Sequence, residues 1–441
     1  MKLLRQTAIT FATRMTITLV NIPISMIIAR TLGAEGQGIY SAAITFPNLW
    51  AGCGLLGLDA AHVYYLARNR TTLGPILANS ILILLLLSAV LLPSYILLLR
   101  PLVGAQGEVL HPYLLLSAVV VPLMLARHLL MSLFLGLDRI GKYNGLLVVS
   151  QIALLAMVAG GLLVANGGTR FVIIAFQMSL VAFLIPALFW LRGQVTREDL
   201  RKIRPSRQLL RDSAIYGTKG HLGSIFTQFS YRFDMVLVLR WLGAAPQGYY
   251  SIAVLLAEKL THITTSVQFV LFPRISAASR DDADRITPIV CRNTLMWMTV
   301  AGLILFVAGR FLIRLFYTDA YLPALGAYQV LLPGIVALTL SNVLSSDFSG
   351  RNRRWLPTIA MGMGFGLNLL LNILWIPRMG IVGAAWASTV SYSTQSVIMA
   401  FFFWRITGIS PHRLVIPCIE DVGLYRNALL KLAEQLRKRA R

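Results

Sequence analysis

Polar and charged residues recur at helical spacing inside the most apolar parts of the chain. The stretch 7–29 carries polar side chains at intervals of three or four positions, namely Thr7, Thr10, Arg14, Thr18, Asn21 and Ser25. These intervals place all of them on one face of an α-helix. A charge at the centre of a membrane helix costs about 2.5–3.5 kcal/mol, so such a face is expected to line a polar cavity instead of contacting lipid.

Three other stretches carry stripes of the same kind. They are 39–60 with Thr45, Asn48, Gly52 and Asp59, 213–239 with His221, Ser224, Gln228 and Arg232, and 249–271 with Ser251, Glu258, His262 and Thr265. Lys259 directly follows Glu258. Because lipid-facing surfaces do not have this pattern, the four stretches are predicted to surround a common cavity.

The composition indicates that the whole chain is built for a membrane. Of its 441 residues, 57% are hydrophobic and only 13% are charged, whereas soluble domains carry about 25% charged residues. The long apolar runs lack the alternation of a barrel strand, and only helices otherwise satisfy backbone groups in lipid. We therefore predict an all-α integral membrane protein. The formal net charge of +23 is attributed to segments beside a membrane and not to a nucleic-acid surface.

Windows of about 20 mainly apolar residues predict twelve transmembrane spans. Their approximate bounds are 7–29, 39–60, 76–99, 111–135, 146–165, 171–191, 213–239, 249–271, 288–309, 324–348, 356–377 and 381–404. With the N-terminus placed in the cytoplasm, 28 of the 40 Lys and Arg residues fall in inner segments and seven in outer ones. This bias predicts that both termini are cytoplasmic.

The span count divides the chain into four parts. They are an N-terminal six-helix lobe (1–191), a basic linker (192–212), a C-terminal six-helix lobe (213–406) and a basic tail (407–441). The end of the tail, 424–441, has the pattern of a basic amphipathic helix on an anionic membrane surface. A solvated tail is the alternative.

An internal repeat relates the two lobes. Arg, Leu, Gly, Ala, Gln, Gly, Tyr, Ser and Ala recur in register in two copies, which are 29–43 and 239–253. Each half has six spans, an even number, so both halves enter the membrane from the same side and their twofold axis follows the membrane normal. Gly33 and Gly243 are expected to end a helix, and Gly38 and Gly248 to allow a tight return into the next.

Three features of the chain carry a resemblance to a known family. They are the pattern Arg-x-Leu-Gly-x-x-x-x-Gly-x-Tyr after the first span, Asp234 ahead of the second copy, and the run Asn368–Ser388 with Asn372, Ile376, Pro377, Gly380, Gly383, Ala384 and Ala385. In these the chain resembles the polysaccharide-unit flippases of the multidrug/oligosaccharidyl-lipid/polysaccharide exporter superfamily. The resemblance covers nearly the whole chain. It implies two six-helix lobes around a central polar cavity.

The resemblance also implies an activity and its setting. The expected activity is the transfer of a polyprenyl-diphosphate-linked oligosaccharide from the cytoplasmic to the outer leaflet of a bacterial cytoplasmic membrane during cell-surface polysaccharide biosynthesis. The expected partners are this substrate, membrane lipids and a polysaccharide polymerase or glycosyltransferases, with no nucleic acid. We expect no cofactor, no metal site and no catalytic residue.

Four intramembrane cations are candidate stations for the diphosphate. The four cations are Arg14, Arg127, Arg232 and Lys259. Asn21 and Gln228 are also predicted to bind the substrate. Arginine suits the task because its guanidinium binds phosphate oxygens in pairs. The alternative is structural: Arg232 would pair with Asp234 or Asp59, and Lys259 with Glu258.

Three intramembrane carboxylates are candidates for ion coupling. Glu258, Asp234 and Asp59 qualify because a carboxylate inside a membrane can bind and release a proton. The alternative for Glu258 is a local pair with Lys259 or His262.

Three other functions remain open. A drug or cation antiporter of the same superfamily would need an anionic cavity. A membrane glycosyltransferase or polymerase would need a cluster of catalytic carboxylates or a large external domain, and neither is evident. A non-transporting scaffold would have polar stripes that are packed and dry. Near-matches to nucleotide-binding loops at 136–143 and 52–57 lack the strand that such motifs require.

Overall fold

The chain is helical throughout the part that the structure describes. This computed structural model describes residues 2–104 and 107–418, apart from the side chains of residues 2–8, 71, 219, 220, 269 and 270. Every regular element within these residues is a helix, which confirms the all-α prediction. The amphipathic helix predicted at 424–441 lies outside the described residues.

The described helices differ widely in length. The α-helices are Lys2–Gly54, Leu58–Arg68, Leu73–Val103, Gly107–Leu116, Val120–Gly136, Ile140–Ala159, Thr169–Arg192, Arg197–Arg201, Arg207–Leu242, Ala244–Ala257, Thr261–Ala277, Arg280–Tyr317, Ala324–Gly350, Trp355–Thr407 and His412–Val415. The 3₁₀ turns are Arg70–Thr72, Ser117–Val119, Glu258–Leu260 and Asp319–Tyr321, and a π turn occupies Gly160–Val164.

These helices form twelve spans, as predicted. Span 1 and the first segment of span 2 are the two arms of Lys2–Gly54, which bends at Gly33, and Leu58–Arg68 is the second segment of span 2. Spans 11 and 12 are the arms of Trp355–Thr407, which bends at Gly380. The others are span 3 (Leu73–Val103), span 4 (Gly107–Gly136), span 5 (Ile140–Val164), span 6 (Thr169–Arg192), span 7 (Arg207–Leu242), span 8 (244–277), span 9 (Arg280–Tyr317) and span 10 (Ala324–Gly350). Below, the end of the bundle that holds residues 192–206 is the linker side, and the end that holds Gly33 is the kink side.

Eight helices of the described chain are long and apolar enough to cross a membrane. Two of these eight helices are bent and contribute to two spans each, namely spans 1 and 2 and spans 11 and 12. The eight helices therefore contribute to ten of the twelve spans. The helices of spans 7 and 8 are not among them. These two spans carry polar stripes, which lowers their mean hydropathy. Their place in the bundle therefore depends on packing against the other spans and not on apolarity alone.

Each lobe has its own apolar core, and the two cores interlock on the kink side. The core of the N-terminal lobe is built mainly from spans 2, 3, 4 and 6, and that of the C-terminal lobe from spans 7 to 12. Val236 and Leu239 of span 7 nevertheless pack into the N-terminal core, while Ala29 of span 1 packs into the C-terminal core. This exchange fixes the kink-side ends of the two lobes against each other.

The repeat motif makes its turn with one glycine per copy. Gly33 and Gly243 have φ angles of 67° and 92°, a region that glycine adopts without strain. Gly38 and Gly248 instead lie inside helices. The predicted tight return at Gly38 and Gly248 is therefore wrong, because the chain has already turned at the first glycine.

The second glycine of each copy lets the two lobes touch. A methyl group on Gly38 would overlap the carbonyl oxygen of Ala244, and one on Gly248 would overlap that of Ala34. The two contacts are equivalent under the internal repeat. Spans 2 and 8 therefore cross with their backbones in direct contact, which only residues without a side chain permit.

Span 2 is interrupted between its two helical segments. Leu56 and Gly57 have φ angles of 50° and 73°, so the helix stops and restarts within the membrane. Gly57 packs on the backbone of Gly217 in span 7, and neither position has room for a side chain. His221 of span 7 lies 3.2 Å from the carbonyl oxygen of Cys53, beside the break. Spans 2 and 7 are thus held together on this side of the bundle.

Candidate functional site

A polar cavity of about 520 Å³ lies between the two lobes. Spans 1, 2, 5, 7 and 8 supply its polar lining, which is Asn21, Ser25, Gln37, Ser41, Thr45, Asn48, Gln151, Gln228, Tyr231, Arg232, Ser251 and Glu258. Gln37 donates to Ser251 across the lobe interface at 3.3 Å, next to the glycine crossing of spans 2 and 8. Each of the predicted stripes on spans 1, 2, 7 and 8 therefore contributes two residues to one central cavity, and the other described members of the stripes lie outside its lining.

Arg232 and Glu258 are the charged residues of this cavity lining. Two hydrogen bonds join them, from Nη1 to Oε1 at 2.7 Å and from Nη2 to Oε2 at 2.8 Å. About a third of each side chain is exposed, 34% for Arg232 and 28% for Glu258. The parallel geometry gives a strong charge-assisted contact. In this conformation the guanidinium is compensated by a carboxylate of the same lobe.

The pairing differs from both alternatives that the sequence offered. Arg232 pairs neither with Asp234 nor with Asp59, because its guanidinium group points toward Glu258 on span 8. Glu258 pairs with Arg232 and not with its neighbour Lys259. The Lys259 ammonium makes no hydrogen bond within the described part of the chain, and it lines a second cavity.

The second cavity, of about 370 Å³, lies between spans 1 and 8. Its polar lining is Arg14, Thr18, Asn21, Glu258, Lys259, Thr261 and His262. Thr18 and His262 bridge the two spans at 3.2 Å. This lateral cavity adjoins the central one, since Asn21 and Glu258 line both. Together the two linings contain three cations and one carboxylate, so the combined space is net positive.

The lateral cavity adjoins an apolar outer surface. Leu19 on span 1 is 66% exposed and Ile263 on span 8 is 43% exposed. Each directly follows a residue of the Thr18–His262 bridge in the sequence. A polar space and a lipid-compatible surface therefore adjoin each other along the seam between spans 1 and 8.

Asp234 lies behind the central cavity in a buried hydrogen-bond network. Its carboxylate accepts from the Tyr250 hydroxyl at 2.5 Å, from the Ser388 hydroxyl at 3.1 Å and from the backbone of Met235 at 2.7 Å. Asn368 donates to the same Ser388 at 3.3 Å. Two features of the family resemblance, Asp234 and the run Asn368–Ser388, therefore converge on one point of the C-terminal lobe. The amino-acid pattern alone did not predict that these residues meet.

A third cavity, of about 450 Å³, occupies the interior of the C-terminal lobe. Asp234, Arg232 and Glu258 all contribute to its lining. The Arg232–Glu258 pair therefore forms part of the wall between this cavity and the central one.

Arg127 and Asp59 are placed apart from the other candidates. Arg127 lies over the ring of Phe183, 5.3 Å from its centroid, inside the N-terminal lobe. Asp59 stands in the first turn of Leu58–Arg68, the second segment of span 2. Neither belongs to the linings of the three cavities described above.

Several residues of the central cavity were not predicted from the sequence. Gln151 of span 5 donates to Asn21 at 2.6 Å, and Gln37 and Tyr231 also line the space. Gln37 and Gln247 occupy equivalent positions of the repeat, and both are buried. A glutamine repeated at one position of both lobes was the available signal.

Two family models match the chain. The one described as "Polysaccharide biosynthesis protein" matches residues 3–279, more than half of the chain. The one described as "Lipid II flippase MurJ" matches residues 241–425. The two matches overlap at 241–279, which is the end of span 7 and the whole of span 8, and together include all twelve spans.

Two curated proteins are similar in sequence. The probable low-salt glycan biosynthesis flippase Agl15 of Haloferax volcanii is 22% identical over 394 residues, which are 86% of this chain and 79% of that protein. An uncharacterized membrane protein of Methanocaldococcus jannaschii is 25% identical over 222 residues, or 48% of this chain. The second match spans only 43% of that relative's length.

Solved structures share the fold. The lipid II flippase MurJ in an inward closed conformation superposes with a TM-score of 0.73 at 16% identity, covering 89% of this chain and 87% of that one. An inward-facing multidrug resistance transporter of the MATE family gives 0.72 at 14% identity, covering 91% and 97%. At such identities the likeness concerns the fold alone, and it agrees with twelve helices in two lobes.

Proposed function

Because the chain belongs to the polysaccharide biosynthesis protein family, we propose that it is a flippase for a polyprenyl-diphosphate-linked oligosaccharide. One observation carries the proposal. A net-positive polar space runs from the centre of the bundle, at Arg232, to a lateral cavity between spans 1 and 8 that adjoins an apolar surface. A molecule with an anionic polar head and a long hydrocarbon tail fits this arrangement.

The tail and the head of such a substrate have opposite requirements. A polar head group in hydrocarbon leaves its hydrogen-bonding groups unsatisfied, which costs several kcal/mol per group. The polar side chains of the central cavity replace the lost water, and the cations Arg14, Lys259 and Arg232 compensate the diphosphate. The tail stays outside beside Leu19 and Ile263 and never leaves lipid.

We propose an order of transfer that is compatible with this conformation. The glycine crossing of spans 2 and 8 keeps the lobes together on the kink side. We place the linker side in the cytoplasm, because the Lys and Arg bias favours it. The head group then enters from the cytoplasmic leaflet, and separation of the crossing releases it on the outer side. Rocking of two repeats about a central site is the usual route in such transporters.

The names of the relatives support this class of substrate. Agl15 is named a probable glycan biosynthesis flippase and MurJ a lipid II flippase. A bacterial cytoplasmic membrane, cytoplasmic termini, and a polysaccharide polymerase or glycosyltransferases as partners complete the proposal. Asp234, Glu258 and Asp59 are the candidates for ion coupling, and Asp234 is the most enclosed of them, with 2% of its surface exposed.

Transport by the purified protein is the direct test. The chain is reconstituted into liposomes with a fluorescent polyprenyl-diphosphate sugar, and a membrane-impermeant quencher reports the fraction in each leaflet. We expect protein-dependent exchange between leaflets that a neutral polyprenol sugar does not undergo. Exchange of cationic dyes in place of the lipid-linked sugar would establish the drug or cation antiporter and refute the flippase.

A further inference from the structure

A fourth cavity, of about 590 Å³, opens in the C-terminal lobe on the linker side. It lies among spans 7, 8, 10 and 11, and half of its lining residues carry a hydroxyl group. The polar residues of its lining include Ser224, Thr227, Ser345, Ser346, Ser349 and Arg354. Gln228 lines both this pocket and the central cavity, so the two spaces meet at one side chain.

Most of these polar side chains have no protein partner. Within residues 2–104 and 107–418, Arg354 and the four serines make no side-chain hydrogen bond or ion pair. Ser346 is unpaired although only 8% of its surface is exposed. Ser224 and Arg354 are exposed, so these unpaired donors and acceptors surround an open volume and are available to a polar ligand.

A neighbouring arginine gives the contrast. Arg351, three positions before Arg354, is paired with Asp347 at 2.8 Å and with Asp284 at 2.7 Å. Its side chain is 12% exposed, and it ties span 10 to span 9. Arg354 makes no such ion pair within the described residues, and it lines the pocket. The same short turn thus carries a structural cation, Arg351, and an exposed cation that lines the pocket, Arg354.

From this geometry we infer that the pocket binds a sugar ring bearing an oxyanion, as part of the glycan head group. Serine and threonine hydroxyls both donate and accept, which matches sugar hydroxyls, and a guanidinium binds an oxyanion through paired hydrogen bonds. Phe272, Pro357 and Met361 supply the apolar wall against which the face of a ring can pack. No carboxylate contributes to the described lining, so the pocket favours anions over cations.

The position of the pocket relates it to the central cavity. Span 7 carries Ser224 in the pocket, Gln228 at the junction and Arg232 in the central cavity, at intervals of four residues. Four residues of α-helix rise about 6 Å, so the two ends of this row are about 12 Å apart along the helix. A diphosphate at Arg232 and an acidic sugar in the pocket can therefore belong to one head group. This inference rests on the proposed function for the identity of that head group.

Ligand binding by the full-length protein tests the inference. The purified chain in detergent is titrated with glucuronic acid, glucose and inorganic phosphate, and its melting temperature is followed. We expect a saturable rise with glucuronic acid and weaker rises with the other two. Arg354→Gln should weaken glucuronic acid binding by about tenfold or more, as loss of a charge-assisted hydrogen-bond pair implies. The double variant Ser346→Ala/Ser349→Ala should weaken it as well.

Matched variants separate binding from general damage. Arg353→Gln removes an exposed arginine next to Arg354 that is outside the pocket lining, and Ser276→Ala removes an exposed serine on span 8. Both should bind glucuronic acid as the unchanged protein does. The inference is overturned if glucuronic acid gives no saturable response, or if Arg354→Gln binds it normally. A response to phosphate equal to that for glucuronic acid also overturns it, since the site would then recognise an anion without its sugar.

The two proposals fail separately. Binding of a soluble sugar does not require that any lipid be moved. A chain that exchanges lipid-linked sugar between leaflets without binding glucuronic acid would refute the pocket and leave the flippase intact. A chain that binds the sugar through Arg354 but exchanges no lipid-linked sugar would refute the flippase alone.

Discussion

Arg232 and Glu258 face each other across spans 7 and 8 and share two parallel hydrogen bonds, 2.7 and 2.8 Å long. The pair sits where the central cavity meets the interior of the C-terminal lobe. A diphosphate that reaches Arg232 must compete with this carboxylate. Glu258 thus acts as an internal counter-ion in the conformation described. Breaking its ion pair with Arg232 makes the free energy of diphosphate binding less favourable.

The first prediction separates stability from transport at this pair. Arg232→Met leaves Glu258 without its partner and should destabilise the protein by about 1–2 kcal/mol, less than for a fully buried pair because both side chains are about a third exposed. The double variant Arg232→Met/Glu258→Leu should recover most of the melting temperature. Neither should exchange lipid-linked sugar in liposomes.

Glu258→Gln completes the test. It keeps the shape of the side chain and frees Arg232 from its counter-ion, so the protein should bind a soluble diphosphate more tightly than the unchanged chain. Full transport by the double variant would show that the pair serves only the fold.

The second prediction concerns the glycine crossing. Gly248→Ala places a methyl group against the carbonyl of Ala34 and should force the kink-side ends of spans 2 and 8 apart. A Ser41→Cys reporter in a background without the native cysteines should then react severalfold faster with an impermeant maleimide added from outside. Gly366→Ala is the matched control, since no atom lies within 4 Å of the new carbon. Equal labelling of both variants would remove the crossing as a gate.

Sequence periodicity predicted four of the five spans that supply the polar lining of the central cavity, because a polar stripe on a membrane helix has few other places to face. Periodicity could not predict the pairing of Arg232 with Glu258, because that contact depends on how two helices are rotated and offset relative to each other. The break at Leu56 and Gly57 was not predicted either, because glycine also occurs inside unbroken membrane helices. It is stabilised by contact with Gly217, which is remote in sequence.

Charge type alone was also a poor guide to which cations share a site. Arg127 and Arg14 were both predicted to be stations for the diphosphate because both are intramembrane arginines. The structure places Arg127 over Phe183 within one lobe and Arg14 in the lateral cavity between the lobes. The difference follows from the neighbours of each helix, which a single sequence does not specify. Arg127→Lys is accordingly expected to affect packing of the N-terminal lobe before it affects transport.

The third prediction concerns stability on the linker side. Asp347 is fully buried and accepts from Thr287 at 2.6 Å and from Arg351 at 2.8 Å. Arg351→Met leaves that carboxylate uncompensated and should cost about 3–5 kcal/mol. Arg353→Gln, at an exposed neighbouring position, should change stability by no more than about 0.5 kcal/mol. Melting temperatures of the two variants in the same detergent would check this, and equal values would contradict the structural role of the network.

The last prediction tests the lateral cavity as the route of the head group. Arg14 lines that cavity together with Lys259, and its side chain makes no hydrogen bond within the described chain. Arg14→Ala should therefore leave the melting temperature almost unchanged while lowering exchange of lipid-linked sugar at least about tenfold, the loss expected for one charged hydrogen bond to phosphate. Arg14→Lys should retain part of the activity, because it keeps the charge without the paired geometry. Arg310→Ala, an exposed arginine on the kink side, is the control and should transport normally. If Arg14→Ala and Arg310→Ala transport equally well, the head group does not pass between spans 1 and 8.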